Sequence, residues 1–523
     1  MVSLPSRRSF LAGAGASAFA QSRRRPNLLV ILADDMGFSD PGCYGGEIDT
    51  PNLDSLARNG LRFTQAYSCA RCVPSRGSLL TGYYSPQTGI EQTSRVKPAA
   101  WARFIPQYLS PLGYRCYHAG KWHIPASMPL RDTGFHHSYF LGDQDRFFSP
   151  TRHHLDDQPL APVKPGEGYY ATSAIAGHAI NWLNRHQREH AADPFFLYLA
   201  FTSPHFPLHA LQPDIRRFEK RYKAGWDVVR RERSIRQRRL GLPPVTPAPL
   251  EPETRPYWNT PDSELTARIG SKEVSRALPW DSLSKEQKEF QSAKMAIHAA
   301  MVYRMDAEIG RLIGQLKKMD AFRDTAILFL SDNGASSEQL IRADGHDPEA
   351  APGSARSHLC LGPGWATAAN SPFRRHKSWV HEGGISSPLI AHWPTGIAER
   401  GALRRTPCHL IDVLPTLVDL AGGPAPAPGE GGPPRPGRSL APAFSQDREI
   451  AREYLFFHHM ENRALRMGDW KIVASGKSAP WELYDLAADR GETTDLASRQ
   501  PDRVRAMAAR WESLEREFLA QKS

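Results

Sequence analysis

The chain has 523 residues, 40% of which are hydrophobic, and it carries a formal net charge of +11. This composition supports a folded core and excludes an intrinsically disordered chain, and the length favours two or three domains. No apolar run approaches the ~20 residues of a membrane-spanning helix, so we expect no stable membrane span.

The first twenty residues are predicted to be an export signal and not part of the fold. Arg7 and Arg8 precede a short apolar run that ends in the letters AFA at residues 18–20. A basic start, an apolar centre and a small-residue cleavage site are typical of a signal peptide. The double arginine is similar to the twin-arginine export signal, which carries folded proteins. We therefore expect cleavage near Ala20 and a periplasmic or secreted protein.

Three apolar runs without alternation, at residues 27–33, 194–200 and 325–330, predict strands that are buried on both faces of a parallel sheet. Residues 113–119 are expected to form a fourth strand. Helices are predicted at residues 51–60, 172–186 and 290–319. Strands that alternate with helices indicate an α/β domain, here a large, mostly parallel mixed sheet flanked by helices over residues 21–421. The proline-rich residues 242–263 are expected to form an irregular excursion from it.

A different pattern follows a connector rich in proline and glycine at residues 422–437. Shorter, alternating runs predict four strands, at residues 454–457, 464–467, 470–473 and 482–486. A closing helix is predicted at residues 502–519. We therefore expect a small C-terminal subdomain, residues 438–523, that consists of an antiparallel sheet and one helix.

Each of the four predicted parallel strands is followed by polar residues that could do chemistry. In chain order these are Asp34 and Asp35, then Lys121 and His123, then His205, and finally Asp332 and Asn333. Ligands of open α/β sheets bind outside the carboxyl ends of the strands, so we expect these side chains to meet at one rim. Three carboxylates and one amide oxygen suit a hard cation, Ca²⁺ or alternatively Mg²⁺, and do not suit Zn²⁺.

The segment CVPSRGSLLTG at residues 72–82 combines a cysteine with a helix start. Pro74 suits the first turn of a helix, so Cys72 should lie just ahead of a helix N-terminus, where free backbone N–H groups favour anions. Arg76 adds a permanent charge whose forked donors match an oxyanion. On spacing alone, a reactive cysteine and a buried structural thiol fit this segment equally well.

The pattern C-x-P-S-R, then three residues and L-T-G, resembles the signature of the formylglycine-dependent sulfatases of the alkaline phosphatase-like superfamily, in particular bacterial arylsulfatases. The similarity continues in FRRHKSWVHEGG at residues 373–384, HLIDVLPT at 409–416 and GDWK at 468–471. It implies a sulfuric ester hydrolase whose Cys72 is oxidised to Cα-formylglycine by a formylglycine-generating enzyme before export. The substrate would be a sulfated saccharide or an aryl sulfate.

The resemblance also implies a metal site. Asp34, Asp35, Asp332 and Asn333 match the family's ligands for one divalent cation, and the formylglycine at residue 72 would complete the set.

Catalytic roles follow from the same resemblance. Arg76 and Lys121 would stabilise the hydrated aldehyde, whose hydroxyl attacks sulfur. His205 and Lys377 would lie at the bridging oxygen, where the leaving alcohol takes a proton. His123 would then remove a proton from the second hydroxyl, which expels sulfate and restores the aldehyde. Arg374, Arg375 and His381 match no catalytic position, and we predict that they are surface or supporting residues.

Two other functions stay open at this point. A phosphomonoester or phosphonate hydrolase on the same fold would bind an ester of similar shape. A non-enzymatic exported protein could instead bind sulfated glycans through residues 214–239, which hold eleven lysines and arginines against four acids. The more ordinary interpretation of this stretch is a solvated helix face, and the alternative is a basic rim that faces a polyanion. It has no stacking-aromatic motif, so we expect no nucleic-acid partner.

Overall fold

The computed structural model describes residues 25–91, 97–342 and 345–522, so the predicted signal peptide lies outside the described residues. The main sheet has eleven strands: β1 Asn27–Ala33, β2 Leu61–Tyr67, β3 Arg115–Gly120, β4 His137–Leu141, β5 His153–Leu155, β6 Gln158–Pro159, β7 Phe195–Ala200, β8 Thr325–Ser331, β9 Ser386–His392, β10 Ala402–Arg404 and β11 Cys408–His409. A second sheet has four strands: β12 Leu455–His459, β13 Asn462–Met467, β14 Trp470–Ala474 and β15 Glu482–Asp485.

The α-helices flank these sheets. They are α1 Pro51–Arg58, α2 Cys72–Thr81, α3 Ser85–Thr88, α4 Ile105–Leu109, α5 Pro129–Thr133, α6 Ala171–Glu189, α7 Gln212–Phe218, α8 Gly225–Arg239, α9 Asp262–Ile269, α10 Lys285–Lys318, α11 Pro363–Ala369, α12 Glu382–Ile385, α13 Val413–Leu420, α14 Ala441–Ser445 and α15 Pro501–Gln521. Within the described residues, no helix is both long and apolar enough to cross a membrane.

The main sheet runs in the order β10-β2-β9-β8-β1-β7-β3-β4-β5-β6, and β11 also pairs with β2. β8, β1, β7, β3 and β4 are parallel neighbours, whereas β9 is antiparallel to both β8 and β2. The predicted fold class, a large and mostly parallel mixed sheet with flanking helices, is confirmed. The four predicted strands are the four adjacent strands β8, β1, β7 and β3, so their carboxyl ends lie side by side.

The central strand β1 shows why its sequence is apolar throughout. Side chains alternate between the two faces of a strand, and here both faces are covered. Leu29 and Ile31 pack into a core with residues of α6 and α10, whereas Leu28 and Val30 pack into a second core with residues of α2 and α13. Burial on both faces selects an uninterrupted apolar run.

Two features of the main domain go beyond the predicted elements. Helix α10 begins at Lys285, five residues before its predicted start, because Ser284 caps it: its hydroxyl accepts from the N–H of Gln287, whose side chain accepts from the N–H of Ser284. Strand β9 escapes the search for apolar runs because Pro388 interrupts it. Pro388 lies where the β2–β9 register shifts, a position that tolerates a residue without an N–H.

The C-terminal residues form the predicted antiparallel sheet, β12–β13–β14–β15, with α15 packed against it. Residues 422–437 contain no helix or strand. The excursion predicted at residues 242–263 is irregular up to residue 261, and α9 begins at Asp262. The face of the sheet away from α15 packs on the main domain, where Leu455 and Phe457 meet Tyr67 and Ile385 in one apolar cluster. This contact places the end of β12 beside the ends of the central strands. The domain boundaries stay predictions.

Candidate active site

The structure brings the polar residues that follow the four central strands together at one rim. Asp34, Asp35, Lys121, His205, Asp332 and Asn333 are all buried, with at most 4% of each exposed. Because β8, β1, β7 and β3 are adjacent and parallel, their carboxyl ends open on the same side. The predicted site is therefore one cluster in the folded chain.

Each carboxylate of the cluster is held by a cation from a different element. Lys121 Nζ lies 2.6 Å from Asp34 Oδ2. Arg76, on α2, donates from Nε and Nη2 to Asp332 Oδ2 at 3.0 and 2.8 Å. Lys377 Nζ lies 2.9 Å from Asp35 Oδ2. Such pairing is what permits so many charges to be buried together.

The backbone around the cluster is held by its own side chains. Asp35 has a φ of 64°, and its N–H donates to Asp332 Oδ1 at 3.2 Å. Asn333 Nδ2 donates to Asp35 Oδ1 at 2.7 Å. His123 also lies in the left-handed region, with a φ of 60°. Positive φ at residues other than glycine is costly and concentrates at functional sites.

The donor atoms fit a divalent cation. Asp34 Oδ1 and Asn333 Oδ1 are buried without a hydrogen-bond partner among the described residues, which is rare for acceptors in a folded interior. Asp34, Asp35 and His205 each place a ligand atom within 4.8 Å of the others'. Burial and the neighbouring charge of Asp34 both raise the pKa of Asp332. A cation would relieve the repulsion between these two carboxylates. Two of the oxygens predicted as ligands, those of Asp34 and Asn333, could therefore accept an ion, and His205 adds a nitrogen that the sequence prediction did not include.

Cys72 is the first residue of α2, so the prediction that it lies just ahead of the helix is wrong by one position. Arg71 takes the N-cap place instead. The Cys72 side chain is buried, at 2% exposure, and Arg76 lies one turn further along α2 on the same face of the helix, where it pairs with Asp332. The thiol therefore lies beside the charged cluster and at the positive end of a helix.

The charge states of the basic residues differ. Burial lowers the pKa of His123 well below its usual range and lowers that of His205 to about 4, so both rings are neutral at pH 7. Burial opposes the charge of Lys377, but Asp35 and Glu338 outweigh it and raise the pKa of this lysine. His205 Nδ1 donates to the carbonyl of Phe206 at 2.5 Å, which leaves Nε2 as an acceptor, 3.6 Å from Asp35 Oδ2.

Sequence reasoning missed a second layer of the site. Glu338 is 1% exposed and pairs with Lys377 at 3.2 Å and with Arg71 at 2.9 Å. It also accepts from Trp258 Nε1 at 2.7 Å. Arg71 directly precedes Cys72 in the sequence, and this position could have identified Arg71 as a residue of the site. Glu338 carries no such signal, because it lies in an irregular stretch and its partners are distant in the chain.

The C-terminal subdomain also reaches the site. His459, at the end of β12, is buried, and Arg71, Glu338 and Lys377 are close enough to affect its pKa, which burial lowers well below the usual range. Asn462 Nδ2 donates to the carbonyl of Ser378 at 2.7 Å. Two separate sheets thus enclose the reaction centre.

The residues predicted to be supporting do connect elements. Arg374 pairs with Glu251 at 2.6 Å and with Glu482 at 2.7 Å, which joins the excursion to the C-terminal sheet. His381 is buried 3.4 Å from Glu482 and is not part of the group formed by Asp34, Asp35 and His205. Arg375 pairs with Glu251 at 3.3 Å.

The basic stretch at residues 214–239 forms α7 and α8. Part of its charge is structural: Arg233 is fully buried and pairs with Asp40 and Glu47, at 2.9 and 2.8 Å. Arg216, Arg231 and most of the other basic residues are exposed, as the interpretation of a solvated face predicts.

Comparison with known proteins identifies the family. A family model described as "Sulfatase" matches residues 26–423. The chain belongs to the sulfatase family. A second model, "N-sulphoglucosamine sulphohydrolase, C-terminal", matches residues 374–517. The protein is therefore an enzyme that hydrolyses sulfate esters.

Individual relatives agree with this assignment. An uncharacterised sulfatase of Schizosaccharomyces pombe is 30% identical over 93% of this chain and 93% of its own. The arylsulfatase of Klebsiella aerogenes is 32% identical over 77% of this chain and 88% of its own. A solved structure in complex with its substrate, D-glucosamine-2-N,6-O-disulfate, has a TM-score of 0.66 and 21% identity and covers 95% of this chain and 98% of its own. That structural likeness concerns the fold alone.

Proposed function

We propose that this sulfatase acts through a formylglycine at residue 72 and hydrolyses the sulfate monoester of a sugar or an aryl alcohol. One observation carries the proposal: Cys72, within the family signature, is the buried first residue of α2, and Arg76, one turn along the same helix, pairs with Asp332 of the charged cluster. A purely structural thiol would not need a buried charged cluster next to its helix. When present, the hydrated formylglycine supplies two hydroxyls on one carbon, one to attack sulfur and one to release sulfate.

The metal in this proposal is one divalent cation, with Ca²⁺ preferred over Mg²⁺. Asp34, Asp35, Asp332 and Asn333 would hold it, since they offer oxygen donors and two of these oxygens lack a hydrogen-bond partner among the described residues. When bound, the cation supplies Lewis-acid stabilisation and orients the sulfate group.

The proposed roles of the remaining catalytic side chains depend on whether each is charged or neutral at pH 7. Arg76 and Lys121 keep positive charge next to residue 72 and stabilise the anion that forms there. Lys377 is the protonated member of the pair expected at the bridging oxygen, because His205 is neutral at pH 7. His123 is also neutral, and its buried Nδ1 has no partner among the described residues, so the ring is free to accept a proton.

The alcohol is proposed from the named relatives. One relative is an arylsulfatase and one structural neighbour binds a sulfated glucosamine, so both an aryl ring and a sugar ring are candidates. Export through the predicted twin-arginine signal would place the enzyme in the periplasm or outside the cell. In that case the formylglycine-generating enzyme would act on Cys72 before the folded protein crosses the membrane.

Mass spectrometry together with kinetics tests the proposal. The active protein should yield a residue-72 peptide in which the thiol is replaced by an aldehyde or its hydrate. Cys72→Ser should fold and release almost no sulfate from 4-nitrophenyl sulfate in a host that converts only cysteine. Cys69→Ser, a buried thiol three residues away whose neighbours include the Ser78 hydroxyl, is the matched control and should keep its activity.

Three other outcomes would contradict this mechanism or favour one of the alternative functions. Multiple turnovers by protein whose residue 72 is entirely unmodified cysteine would overturn the formylglycine mechanism. Faster hydrolysis of 4-nitrophenyl phosphate than of the sulfate would favour the phosphomonoester or phosphonate hydrolase alternative. Binding of sulfated glycans without any sulfate release would favour the non-enzymatic one.

A further inference from the structure

A groove of about 310 Å³ lies beside the reaction centre, between the excursion that precedes α9 and the C-terminal sheet. The excursion contributes residues 253–258, the C-terminal sheet contributes residues 460–462, and the segment that carries Lys377 contributes Ser378 and Trp379. This volume is at the low end for ligand pockets, about 300–1,000 Å³. The groove is therefore large enough for one ring and too small for a long chain.

Hydrogen bonds connect the groove wall to the predicted metal ligands without a gap. Trp258, on the wall, donates to Glu338, which pairs with Lys377, and Lys377 in turn pairs with Asp35. A second connection runs from Arg71 Nη1 to Ser378 Oγ, at 2.7 Å. A group bound in the groove would thus lie next to a sulfate held at the cluster.

The groove has an unusual concentration of exposed apolar side chains. Five large hydrophobic residues are exposed in the described part of the chain, and Tyr257 and Met460 of this groove are two of them. Tyr257 is 80% exposed and contacts Trp258 edge-on at 4.9 Å between ring centroids. An exposed aromatic ring at a pocket mouth provides a flat surface on which another ring can stack.

The charges of the groove do not favour an additional anion. Its two arginines already have carboxylate partners: Arg255 lies 2.7 Å from Asp262, and Arg375 lies 3.3 Å from Glu251. Two carboxylates also line it: Glu253, which pairs with Arg276, and Glu461, for which the described residues show no ion pair. None of the lining residues comes from the basic stretch at residues 214–239. A second sulfate or a carboxylate on the substrate would therefore meet the charge of Glu461, and each arginine among the lining residues is already paired.

We infer that this groove is the subsite for the alcohol part of the substrate, and that it takes one uncharged ring whose only charged group is the sulfate being removed. The inference rests on the proposed function, since it assumes that a sulfate ester is held at the cluster. An aryl ring and a neutral sugar ring share the required chemistry, which is a flat or apolar face that can stack on Tyr257.

Three substrates test the charge requirement on the converted wild-type enzyme: 4-nitrophenyl sulfate, N-acetylglucosamine 6-sulfate and D-glucosamine-2-N,6-O-disulfate. We expect kcat/KM for the better of the two monosulfated rings to exceed that for the disulfated one by about tenfold, because of repulsion by nearby carboxylates. The ratio between the two monosulfated substrates then distinguishes an aryl from a sugar substrate. Equal or faster cleavage of the disulfated substrate would overturn the inference.

Variants of Tyr257 test the stacking surface. Tyr257→Ala should raise KM for the preferred ring about three- to tenfold with little change in kcat, since the lost contact is a stacking contact. Tyr257→Phe keeps the ring and should lose far less. Ile235→Ala removes another exposed apolar side chain, 42% exposed on α8 and outside the groove, and is the control. A Tyr257→Ala enzyme with the same KM as the Ile235→Ala enzyme would contradict the assignment.

A binding measurement separates this inference from the proposed function. The preferred monosulfated substrate is titrated by calorimetry into Cys72→Ser protein, with and without Tyr257→Ala. Weaker binding with the second substitution would support the subsite even if no ester were hydrolysed, in which case only the proposed function would fail. Unchanged binding with sulfate release intact would reject the subsite alone.

Discussion

Lys471 offers a sharp test of how the C-terminal subdomain is attached to the main domain. It lies on β14 and is fully buried. Its Nζ pairs with Glu492 at 2.7 Å and with Glu382, the first residue of α12, at 3.0 Å. Arg490 also pairs with Glu382, at 3.0 Å. Lys471→Met keeps the apolar stem of the side chain and removes the only cation that pairs with Glu492 among the described residues.

The size of the effect follows from burial. Removing one partner of a buried ion pair costs about 3–5 kcal/mol, because the other charge is left uncompensated. Glu382 retains Arg490, so most of the loss in the free energy of unfolding should come from Glu492. An exposed lysine of the same subdomain, Lys477, is the matched control, and Lys477→Met should cost no more than about 0.5 kcal/mol.

The loss should depend on pH. Burial raises the pKa of Glu492 to about 7, and Lys471 keeps it from rising further. The folded state therefore binds this proton more tightly than the unfolded chain, and stability falls as the pH rises from the ordinary 4.5 through about 7. Without Lys471 the pKa of Glu492 is higher still. Each further pKa unit adds about 1.4 kcal/mol to the loss in free energy of unfolding caused by Lys471→Met, once the carboxylate is ionised. The deficit of Lys471→Met should be larger at pH 8 than at pH 5.

Guanidinium unfolding followed by tryptophan fluorescence at the two pH values measures this difference. Glu492→Gln in the Lys471→Met background removes the uncompensated charge and should recover most of the loss at pH 8. A deficit that is the same at pH 5 and pH 8, or that is no larger than that of Lys477→Met, would refute the reasoning.

Two further predictions concern the metal and the basic stretch. Asp332→Ala removes a proposed ligand and the partner of Arg76, so calorimetry should show weaker Ca²⁺ binding and assays should show lower turnover together; restoration of chelated wild-type enzyme by Zn²⁺ alone would contradict the oxygen site. Changing the exposed Arg216, Arg231 and Arg238 to glutamine should leave kcat/KM unchanged for 4-nitrophenyl sulfate and for sulfated polysaccharides alike. A loss confined to polysaccharides that shrinks at high salt would instead support a basic rim.

The sequence by itself determined the central strands, the three longest helices, α6, α10 and α15, and the residues at the strand ends. These features are local. An uninterrupted apolar run such as residues 27–33 indicates that both faces of a strand are covered, and the polar pair that follows the run indicates where the strand ends. The errors have local causes as well. Pro388 interrupts the apolar run of β9, so this strand was not predicted. The Ser284 cap starts α10 before the first residue of its apolar stripe.

Only the tertiary structure decided which distant residues complete the site. Glu338 is joined to Arg71 and Trp258, which lie 267 and 80 positions away in the chain, and the end of β12 arrives from another sheet. It also assigned Arg233 to a buried ion pair and left Arg231 and Arg238 exposed, although all three lie on α8 and carry the same charge. Burial and ion pairing depend on which elements pack together, and such contacts leave no period or spacing in the sequence that could be read in advance.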